Sequence, residues 1–346
     1  MNVMKAIPAL DQPVPSVMHL PRLRKRILIL GAGQQAKELG QVLVAQLVSR
    51  YEVIGFLDRD PTRVGERLVN PAIIGTFEQL FEIVERHDVR TIAVCLDDRR
   101  SGFPIETLLD FKSAGVDVVD GHQLYEEESG RLSIDLIKPS SLIFSTGFRR
   151  RAIIMGLKRI LDIVASAASL LVLTPLFALV GLLIKLDSVG PIFHRQTRIG
   201  IRGTPYTIWK FRSMGHDAEE EGVRWAVVGD PRITRVGRWL RKWRIDELPQ
   251  LINVLRGEMS LVGPRPERPV FVQELRSSIP YYDLRHTVRP GITGWAQIRF
   301  RYAASPADTH VKLQYDLYYV KNLSLALDLR ILLETILVVL QARGAR

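Results

Sequence analysis

The sequence predicts an α/β protein in which a parallel-sheet domain is followed by an α-rich domain. From Arg26 onward, short β-rich runs alternate with helical stretches, the pattern of a sheet covered by helices on both faces. The second half is rich in arginine and in Gly/Pro turns such as "GDPRITRVG" and "VRPGITGW", which predict long ordered loops around a site. A third feature is an uncharged segment of 22 residues, from Ile163 to Ile184. We expect a flexible segment over 1–24, the sheet domain over 25–146 and the α-rich domain over 147–346.

The first domain contains four predicted strands, "RILIL", "EVIGFLD", "TIAVCLD" and "VDVVD", separated by helical stretches. Cys95 is the only cysteine, which excludes an intrachain disulfide and fits a reducing compartment. Because Cys95 lies in an apolar strand, we expect it to pack in the core.

A glycine pattern separates the first strand from the first helix. Gly31, Gly33 and Ala36 form G-x-G-x-x-A, and Asp58 closes the second strand. This is the Rossmann-like position for a nucleotide pyrophosphate at a helix N-terminus, with the acidic residue near a ribose. The alternative is that the glycines serve only tight strand-to-helix packing. No group suited to hydride transfer lies nearby, so redox catalysis is disfavoured.

The charge balance points to an anionic partner. The formal net charge is +11, with 48 Lys and Arg against 37 Asp and Glu. Nucleic acid, anionic lipid and phosphorylated small molecules all fit such a charge. The uncharged 163–184 segment counts against a nucleic-acid-binding protein. A nicotinamide-dependent sugar-nucleotide enzyme would need a Tyr/Lys arrangement after the glycine turn, and none is evident.

The uncharged segment has three interpretations: a buried soluble helix, a transmembrane span and a re-entrant hairpin. As a helix it would be about 33 Å long, enough to cross a bilayer. Pro175 predicts a kink, and the Thr174 hydroxyl could satisfy a carbonyl that the proline frees. Basic residues flank both ends, whereas a span places them mainly on one side. These are Arg149, Arg150, Arg151, Lys158 and Arg159 before it, and Lys185, Arg195, Arg198 and Arg202 after it. We therefore predict a re-entrant membrane helix hairpin over about 157–186, broken at Thr174 and Pro175.

A second apolar stretch, "LSLALDLRILLETILVVL", lies near the C-terminus and is interrupted by Asp328, Arg330 and Glu334. It fits a helix in the membrane interface and equally a helix packed on its own domain.

Asp246 and Glu247 are the strongest catalytic candidates. They precede "LPQLINVL", which has helical apolar spacing and carries Pro249 in its predicted first turn. A carboxylate near a helix N-terminus is stabilised there, and so is a phosphate. Neighbours on a helix point about 100° apart, which favours separate roles as nucleophile and metal ligand over a shared proton. On the "DEL" tripeptide alone, a solvated helix cap would be the simpler interpretation.

Basic residues that lie among apolar or turn residues favour a phosphate site over a solvated helix cap, because guanidinium groups suit bidentate phosphate contacts. They are Lys210, Arg212, Arg241, Arg265 and Arg301. The acidic run "HDAEEEG" is typical of a solvated helix start, and no two histidines have zinc-ligand spacing. Trp209, Trp239, Trp243 and Trp295 fit core packing or a membrane interface better than nucleic-acid stacking.

The second half resembles the bacterial sugar transferases, the monotopic polyprenyl-phosphate phosphoglycosyl transferases. The resemblance covers roughly 150–344 through an ordered series of motifs. They are "KRILDIVAS", "LTPLFALVGLLIKLDSVGPIFHRQTRIG", "YTIWKFRSM", "DPRITRVGRWLRK", "DELPQLINVLRGEMSLVGPRPE", "RPGITGWAQI" and "YDLYYVKNLSLALDLRILLET". The whole chain resembles the exopolysaccharide-associated type, in which a nucleotide-binding-like domain precedes the transferase domain. Those members usually begin with several transmembrane helices, which this sequence does not show.

The resemblance implies an activity and a set of roles. Such enzymes move a sugar-1-phosphate from a UDP-sugar to polyprenyl (undecaprenyl) phosphate, releasing UMP. It implies that Asp246 attacks the β-phosphate and that Glu247 binds Mg²⁺. Arg241 and Arg265 are implied phosphate ligands. Lys210, Arg212 and Arg301 are further candidates. The family's helix-breaking Ser-Pro pair is Thr174-Pro175 here.

The same resemblance implies partners and a location. UDP-sugar, polyprenyl phosphate and membrane lipids are the expected partners, with no nucleic acid, and a homo-oligomer stays open. The expected location is the bacterial inner membrane, with the domains facing the cytoplasm. Basic residues at a membrane face would attract both anionic substrates.

Overall fold

The computed structural model describes residues 24–46, 49–96, 103–135, 142, 147–148, 151–215, 230–300 and 306–341. The chain divides into two compact units, Met1–Leu136 and Ile137–Arg346. Two sequence-based interpretations, the flexible segment before Arg24 and the acidic run after Gly215, fall almost wholly outside the described residues.

The first unit is a five-stranded parallel sheet with the strand order β3-β2-β1-β4-β5. This confirms the predicted α/β class. The strands and helices of this unit are β1 Lys25–Leu30, α1 Gln34–Ala45, β2 Tyr51–Asp58, β3 Ile73–Thr76, α2 Leu80–Arg86, β4 Thr91–Val94, α3 Ile105–Ser113, β5 Asp117–Asp120 and α4 Gly121–Ser129.

Helices cover both faces of this sheet because its central strand is apolar on both sides. Along β1, Ile27 and Ile29 join one core cluster with residues of α1 and α4. Leu28 and Leu30 join a second cluster with residues of α2 and α3. All four side chains are fully buried, so a polar substitution on either face of β1 would leave a polar group without water.

The glycine turn after β1 is set by a close backbone approach. Gly31 has φ +119°, and a Cβ atom there would lie 2.2 Å from the carbonyl oxygen of Cys95. No L-residue fits without moving β4, so glycine is required at this position. Gly33 is an ordinary N-cap of α1 with φ −78°. Cys95 is buried, as expected for a core residue.

The second unit contains one very long helix, α5 (Ala152–Asp187), of 36 residues. Its further elements are β6 Phe193–Ile199, β7 Pro205–Phe211, α6 Arg235–Lys242, α7 Gln250–Arg256, β8 Ser260–Val262, α8 Pro269–Ser278, β9 Gly291–Thr293, α9 Trp295–Arg299, α10 Pro306–Lys321 and α11 Leu325–Leu340. Strands β6 and β7 form an antiparallel hairpin, and β8 and β9 form a short parallel pair.

Helix α5 is, within the described residues, the one helix long and apolar enough to cross a membrane. Most of its apolar surface is exposed, including Leu171 at 78 % and Val172 at 75 %. It runs without interruption through Pro175, so the structure does not confirm the predicted break into a hairpin. The Thr174 hydroxyl donates to the carbonyl of Leu170 at 2.8 Å. The carbonyl that Pro175 frees belongs to Leu171, one turn back, so the hydroxyl bonds the preceding carbonyl instead.

The N-terminal half of α5 is tied to the second unit by buried polar side chains. Lys158 forms an ion pair of 2.6 Å with Asp328 of α11, and both side chains are at most 10 % exposed. Asp162 accepts hydrogen bonds from the Ser260 hydroxyl and the Leu261 amide at the start of β8. Arg159 donates to the carbonyls of two residues in the last turn of α7, where a cation offsets the helix dipole.

The C-terminal end of α5 is tied to the same unit. Val180 and Ile184 pack with Phe211 of β7 and Leu240 of α6 in a buried apolar cluster. Asp187 accepts a hydrogen bond of 3.1 Å from the amide of Val236. Both ends of the long apolar helix therefore contact one folded unit.

Candidate active site

The predicted catalytic pair lies in a short 3₁₀ turn, Ile245–Glu247, between α6 and α7. The chain enters this turn through Arg244, which has a left-handed backbone with φ 55°. Helix α7 itself begins at Gln250, with Pro249 as its N-cap. The pair is therefore outside the first turn of α7, and neighbouring side chains rather than the helix dipole set its electrostatics.

Three cations converge on Glu247. Lys210 of β7 donates to Oε1 at 3.1 Å, and Arg265 donates to the same oxygen at 2.6 Å. Arg244 lies 3.6 Å from Oε2. Burial alone would raise the pKa of the Glu247 carboxyl, but these three cations outweigh burial and hold the pKa well below its ordinary value. Glu247 is therefore ionised at any physiological pH.

The pKa of the Asp246 carboxyl is shifted in the opposite direction. It is 8 % exposed, and no described side chain donates to its carboxylate or pairs with it. Burial and the negative charge of Glu247 raise the pKa of Asp246, against the attraction of Lys210, Arg241 and Arg265. A buried carboxylate with a raised pKa and unoccupied oxygens is a better nucleophile than a solvated one.

Arg241 and Arg265 lie close to this carboxylate, since both lower its pKa through their charge. One terminal nitrogen of Arg241 is buried without a hydrogen-bond partner among the described residues. An unsatisfied guanidinium donor beside a carboxylate suits an incoming phosphate oxygen. Arg265 is held in its loop by Arg285, which donates to the Arg265 carbonyl at 2.7 Å.

The structure places Arg212 away from Glu247. Its guanidinium donates to the carbonyls of Ser188 and Val189 and to the Ser188 hydroxyl, at 2.7 to 2.9 Å. It therefore caps the C-terminal end of α5 and fixes β7, the strand that also carries Lys210. Arg301, the remaining basic candidate, lies outside the described residues.

Asn253 is a supporting residue that sequence reasoning missed. It is fully buried in α7, and its Oδ1 accepts from the Trp209 amide at 3.1 Å. Its amide nitrogen donates to the carbonyl of Thr207 at 2.7 Å and to Glu258 at 2.6 Å. It thereby fixes β7 against α7 one residue before Lys210. The only available signal was a polar residue at an apolar position of "LINVL".

The sequence-predicted site in the first unit has an internal partner. Asp58 pairs with Arg63 at 2.5 Å and accepts from the Asp60 amide at 3.1 Å. Arg63 also donates weakly, at 3.4 Å, to the carbonyl of Ala32 between Gly31 and Gly33. An arginine thus bridges the glycine turn and the acidic residue where a ribose would bind.

Residues 153–342 match the bacterial sugar transferase family, and this match spans more than half of the chain. The chain belongs to the bacterial sugar transferase family. In this family member the matched range contains α5, the Asp246–Glu247 turn and all the cations around it.

Similarity to individual relatives extends into the first unit. The chain is 39 % identical over 301 residues to the UDP-N-acetylgalactosamine-undecaprenyl-phosphate N-acetylgalactosaminephosphotransferase of Aeromonas hydrophila, covering 86 % of this chain and 68 % of that protein. It is 34 % identical over 334 residues to the undecaprenyl-phosphate glucose phosphotransferase of Komagataeibacter xylinus, covering 92 % of this chain and 60 % of that one.

A shorter relative matches about half of this chain. The exopolysaccharide production protein PSS of Rhizobium leguminosarum bv. phaseoli is 46 % identical over 189 residues, which cover 52 % of this chain and 93 % of that protein.

Proposed function

We propose that the protein transfers a sugar-1-phosphate from a UDP-sugar to polyprenyl phosphate, undecaprenyl phosphate by analogy with its relatives, and releases UMP. By the same analogy it starts the synthesis of an exopolysaccharide or another lipid-linked glycan. The observation that carries the proposal is the contrast within the Asp246–Glu247 pair. One buried carboxylate has a raised pKa and unoccupied oxygens, and its neighbour is held ionised by three cations.

In the first step an oxygen of Asp246 attacks the β-phosphorus of the UDP-sugar. The bond from that phosphorus to the bridging oxygen breaks, and UMP leaves with the electron pair. Arg241 and Arg265 contribute positive charge where negative charge develops on the phosphates. The sugar-1-phosphate is then held on Asp246 as an acyl phosphate.

In the second step an oxygen of the lipid phosphate attacks the same phosphorus. The bond to Asp246 breaks and the carboxylate is regenerated, so the sugar leaves as a polyprenyl diphosphate. The lipid phosphate needs no proton removed, so this step requires no general base. Lys210, bonded to Glu247, is placed to balance the charge of the entering phosphate.

Mg²⁺ fits the donor chemistry of this site. Among the described residues no three Asp, Glu, His or Cys side chains gather into a metal cage. Mg²⁺ is typically held by one or two carboxylates together with substrate phosphates and water, and the adjacent Glu247 and Asp246 offer such a set. Glu247 would hold the ion, which would supply positive charge for the diphosphate oxygens.

We infer a re-entrant, monotopic membrane topology for α5 at the cytoplasmic face of the inner membrane. Both ends of α5 contact the same folded unit, through Lys158 and Asp162 at one end and Asp187 at the other. A helix anchored at both ends to one soluble unit has both ends on one side of a bilayer. The exposed middle, around Leu171 and Pro175, is the part that would enter the lipid.

For the first unit, a Rossmann-like nucleotide site at Gly31, Gly33 and Asp58 is the weaker of the two sequence-based interpretations. Gly31 is required by its contact with Cys95, and Asp58 already has Arg63 as its partner. We assign these residues to packing, and nucleotide titration of this unit tests the assignment.

The proposed function is tested by incubating the purified protein with polyprenyl phosphate, Mg²⁺ and a panel of UDP-sugars while measuring UMP release. The expected result is UMP release with one UDP-sugar, abolished in Asp246→Asn. Donor treatment without lipid should add the mass of a sugar phosphate to the intact protein at Asp246. Full turnover by Asp246→Asn would remove the covalent mechanism. Absence of UMP release with every donor would remove the transferase assignment.

A further inference from the structure

A cavity of about 770 Å³ lies where the C-terminal end of α5 meets the β6–β7 hairpin. Its walls combine apolar side chains, among them Ile192, Phe193 and Phe211, with the cations Lys185 and Lys210. Lys210 connects this cavity directly to the active site, because its Nζ atom bonds Glu247 at 3.1 Å.

Lys185, which lines the cavity, lies between Leu182 and Leu186 of an exposed apolar stripe on α5. Leu179, Leu182 and Leu186 follow one another at spacings of three and four residues, which places them on one side of the helix end. Their exposed fractions are 52 %, 56 % and 76 %. Lys185 projects from the same turn of α5 as this stripe and lines the cavity.

Tryptophans in α6 and directly after it indicate a membrane interface in the same region. Trp239 and Trp243 are spaced one turn apart and are 46 % and 37 % exposed. Helix α6 packs on the end of α5 through Asp187 and Val236. Exposed tryptophans next to an exposed apolar helix end are typical of the headgroup level of a bilayer.

We propose that this cavity binds the acceptor of the reaction, a polyprenyl phosphate, and that the stripe of Leu179, Leu182 and Leu186 supports its isoprenoid chain. The inference rests on the proposed function. A polyprenyl phosphate joins an anionic head to a long apolar chain. The cavity joins cations to an apolar wall, and its residue Lys185 lies next to the exposed apolar stripe of the membrane helix. A UDP-sugar has no apolar chain to match that wall.

The position also fits the order of the two steps. The acceptor phosphate must reach the phosphorus held on Asp246, so its head has to lie within reach of the catalytic pair. Lys210 is shared by the cavity lining and by Glu247, so a phosphate at Lys210 is next to that pair. Lys185 is the outer cation and has no carboxylate partner among the described residues.

The test compares Lys185→Gln with Arg202→Gln in the full-length protein in lipid nanodiscs. Arg202 is an exposed cation at the opposite end of the same hairpin, so it is a control with the same charge change. We expect Lys185→Gln to raise the KM for polyprenyl phosphate about tenfold, the effect of one charged contact. Lys185→Arg should restore the value, and Arg202→Gln should leave it unchanged.

A donor half-reaction separates this inference from the proposed function. Exchange of labelled UMP into UDP-sugar requires Asp246 but no lipid, and Lys185→Gln should retain it at the unaltered rate. An unchanged acceptor KM in Lys185→Gln would overturn the cavity assignment and leave the transferase intact. If UMP exchange weakened while the acceptor KM stayed unchanged, the cavity would belong to the donor. The assignment of the cavity to the acceptor would then also be wrong.

Photolabelling tests which residues contact the acceptor, and it does not require turnover. A polyprenyl phosphate with a diazirine in its first isoprene unit should label 191–194, and a tenfold excess of unlabelled polyprenyl phosphate should suppress that labelling. Suppression by the same concentration of inorganic phosphate would indicate a general anion site and contradict a lipid site. Labelling confined to other parts of the chain would also contradict it, whether or not the protein turns over.

Discussion

At the scale of single residues, the site depends on two adjacent carboxylates with opposite electrostatic surroundings. Glu247 is bonded by Lys210 and Arg265, whereas Asp246 is surrounded by charge without a bond to it. Ionisation of Glu247 therefore stabilises the folded state, and ionisation of Asp246 opposes it.

The two isosteric substitutions should therefore change stability in opposite directions at pH 7.5. Glu247→Gln leaves the partly buried Lys210 and Arg265 without their anion and should cost about 2 kcal/mol of unfolding free energy. Ionisation of the Asp246 carboxyl opposes folding at a pH above its raised pKa. Asp246→Asn removes this carboxylate and should therefore raise the thermal midpoint slightly. Unfolding in detergent by intrinsic fluorescence measures both. Equal losses in both variants would contradict the assignment of the two roles.

The pH dependence of the donor half-reaction should report the Asp246 carboxyl. Asp246 reacts as the anion, so the rate should fall as pH drops through its raised pKa. Glu247 raises that pKa by its negative charge, so Glu247→Gln should shift the acid limb to lower pH even where the maximal rate is reduced. Single-turnover UMP release against pH measures the limb. A shift to higher pH would show that Glu247 does not act on Asp246 in this way.

At the scale of elements, α5 is joined to α11 by the buried pair of Lys158 and Asp328, 170 positions apart in sequence. Burial raises the pKa of Asp328, and Lys158 opposes this shift. Tyr319 adds a second hydrogen bond to Asp328 at 2.7 Å. The pair fixes the first half of the long helix next to β8 and the Arg265 loop.

Asp328→Asn should destabilise the fold by about 3 kcal/mol, because it leaves Lys158 as an unpaired buried charge. The double variant Lys158→Met/Asp328→Leu should recover most of this loss, since an apolar pair removes both charges together. Arg276→Gln is the matched control, because its partner Asp283 is exposed, and should cost less than about 1 kcal/mol. A double variant no more stable than Asp328→Asn would contradict this account. Thermal unfolding of all four proteins gives the comparison.

At the scale of the whole molecule, the sequence predicted what local pattern and motif can determine. The alternating apolar runs predicted the parallel sheet, and the "DEL" turn with its basic neighbours led to Asp246, Glu247, Lys210 and Arg265. Pattern alone missed contacts between distant segments. Arg212 bonds the end of α5 rather than the catalytic pair, and Lys158 enters a buried ion pair from a segment that looked like a basic membrane flank. A residue's type predicts what it can bind, but the fold decides which partner it meets.

The topology of α5 gives the last prediction. Single cysteines introduced at Ile153 and Val189, both highly exposed just at the two ends of α5, should react with a membrane-impermeant maleimide from the same side of sealed vesicles. The background is Cys95→Ala, and a cysteine at Leu171 should be protected by lipid. Pro175→Ala should leave the two ends on one side, because Lys158, Asp162 and Asp187 anchor them to one unit irrespective of a bend between them. Labelling of Ile153 and Val189 from opposite faces would show a transmembrane span. The contacts that tie one end of α5 to the second unit would then be absent in the membrane-bound protein.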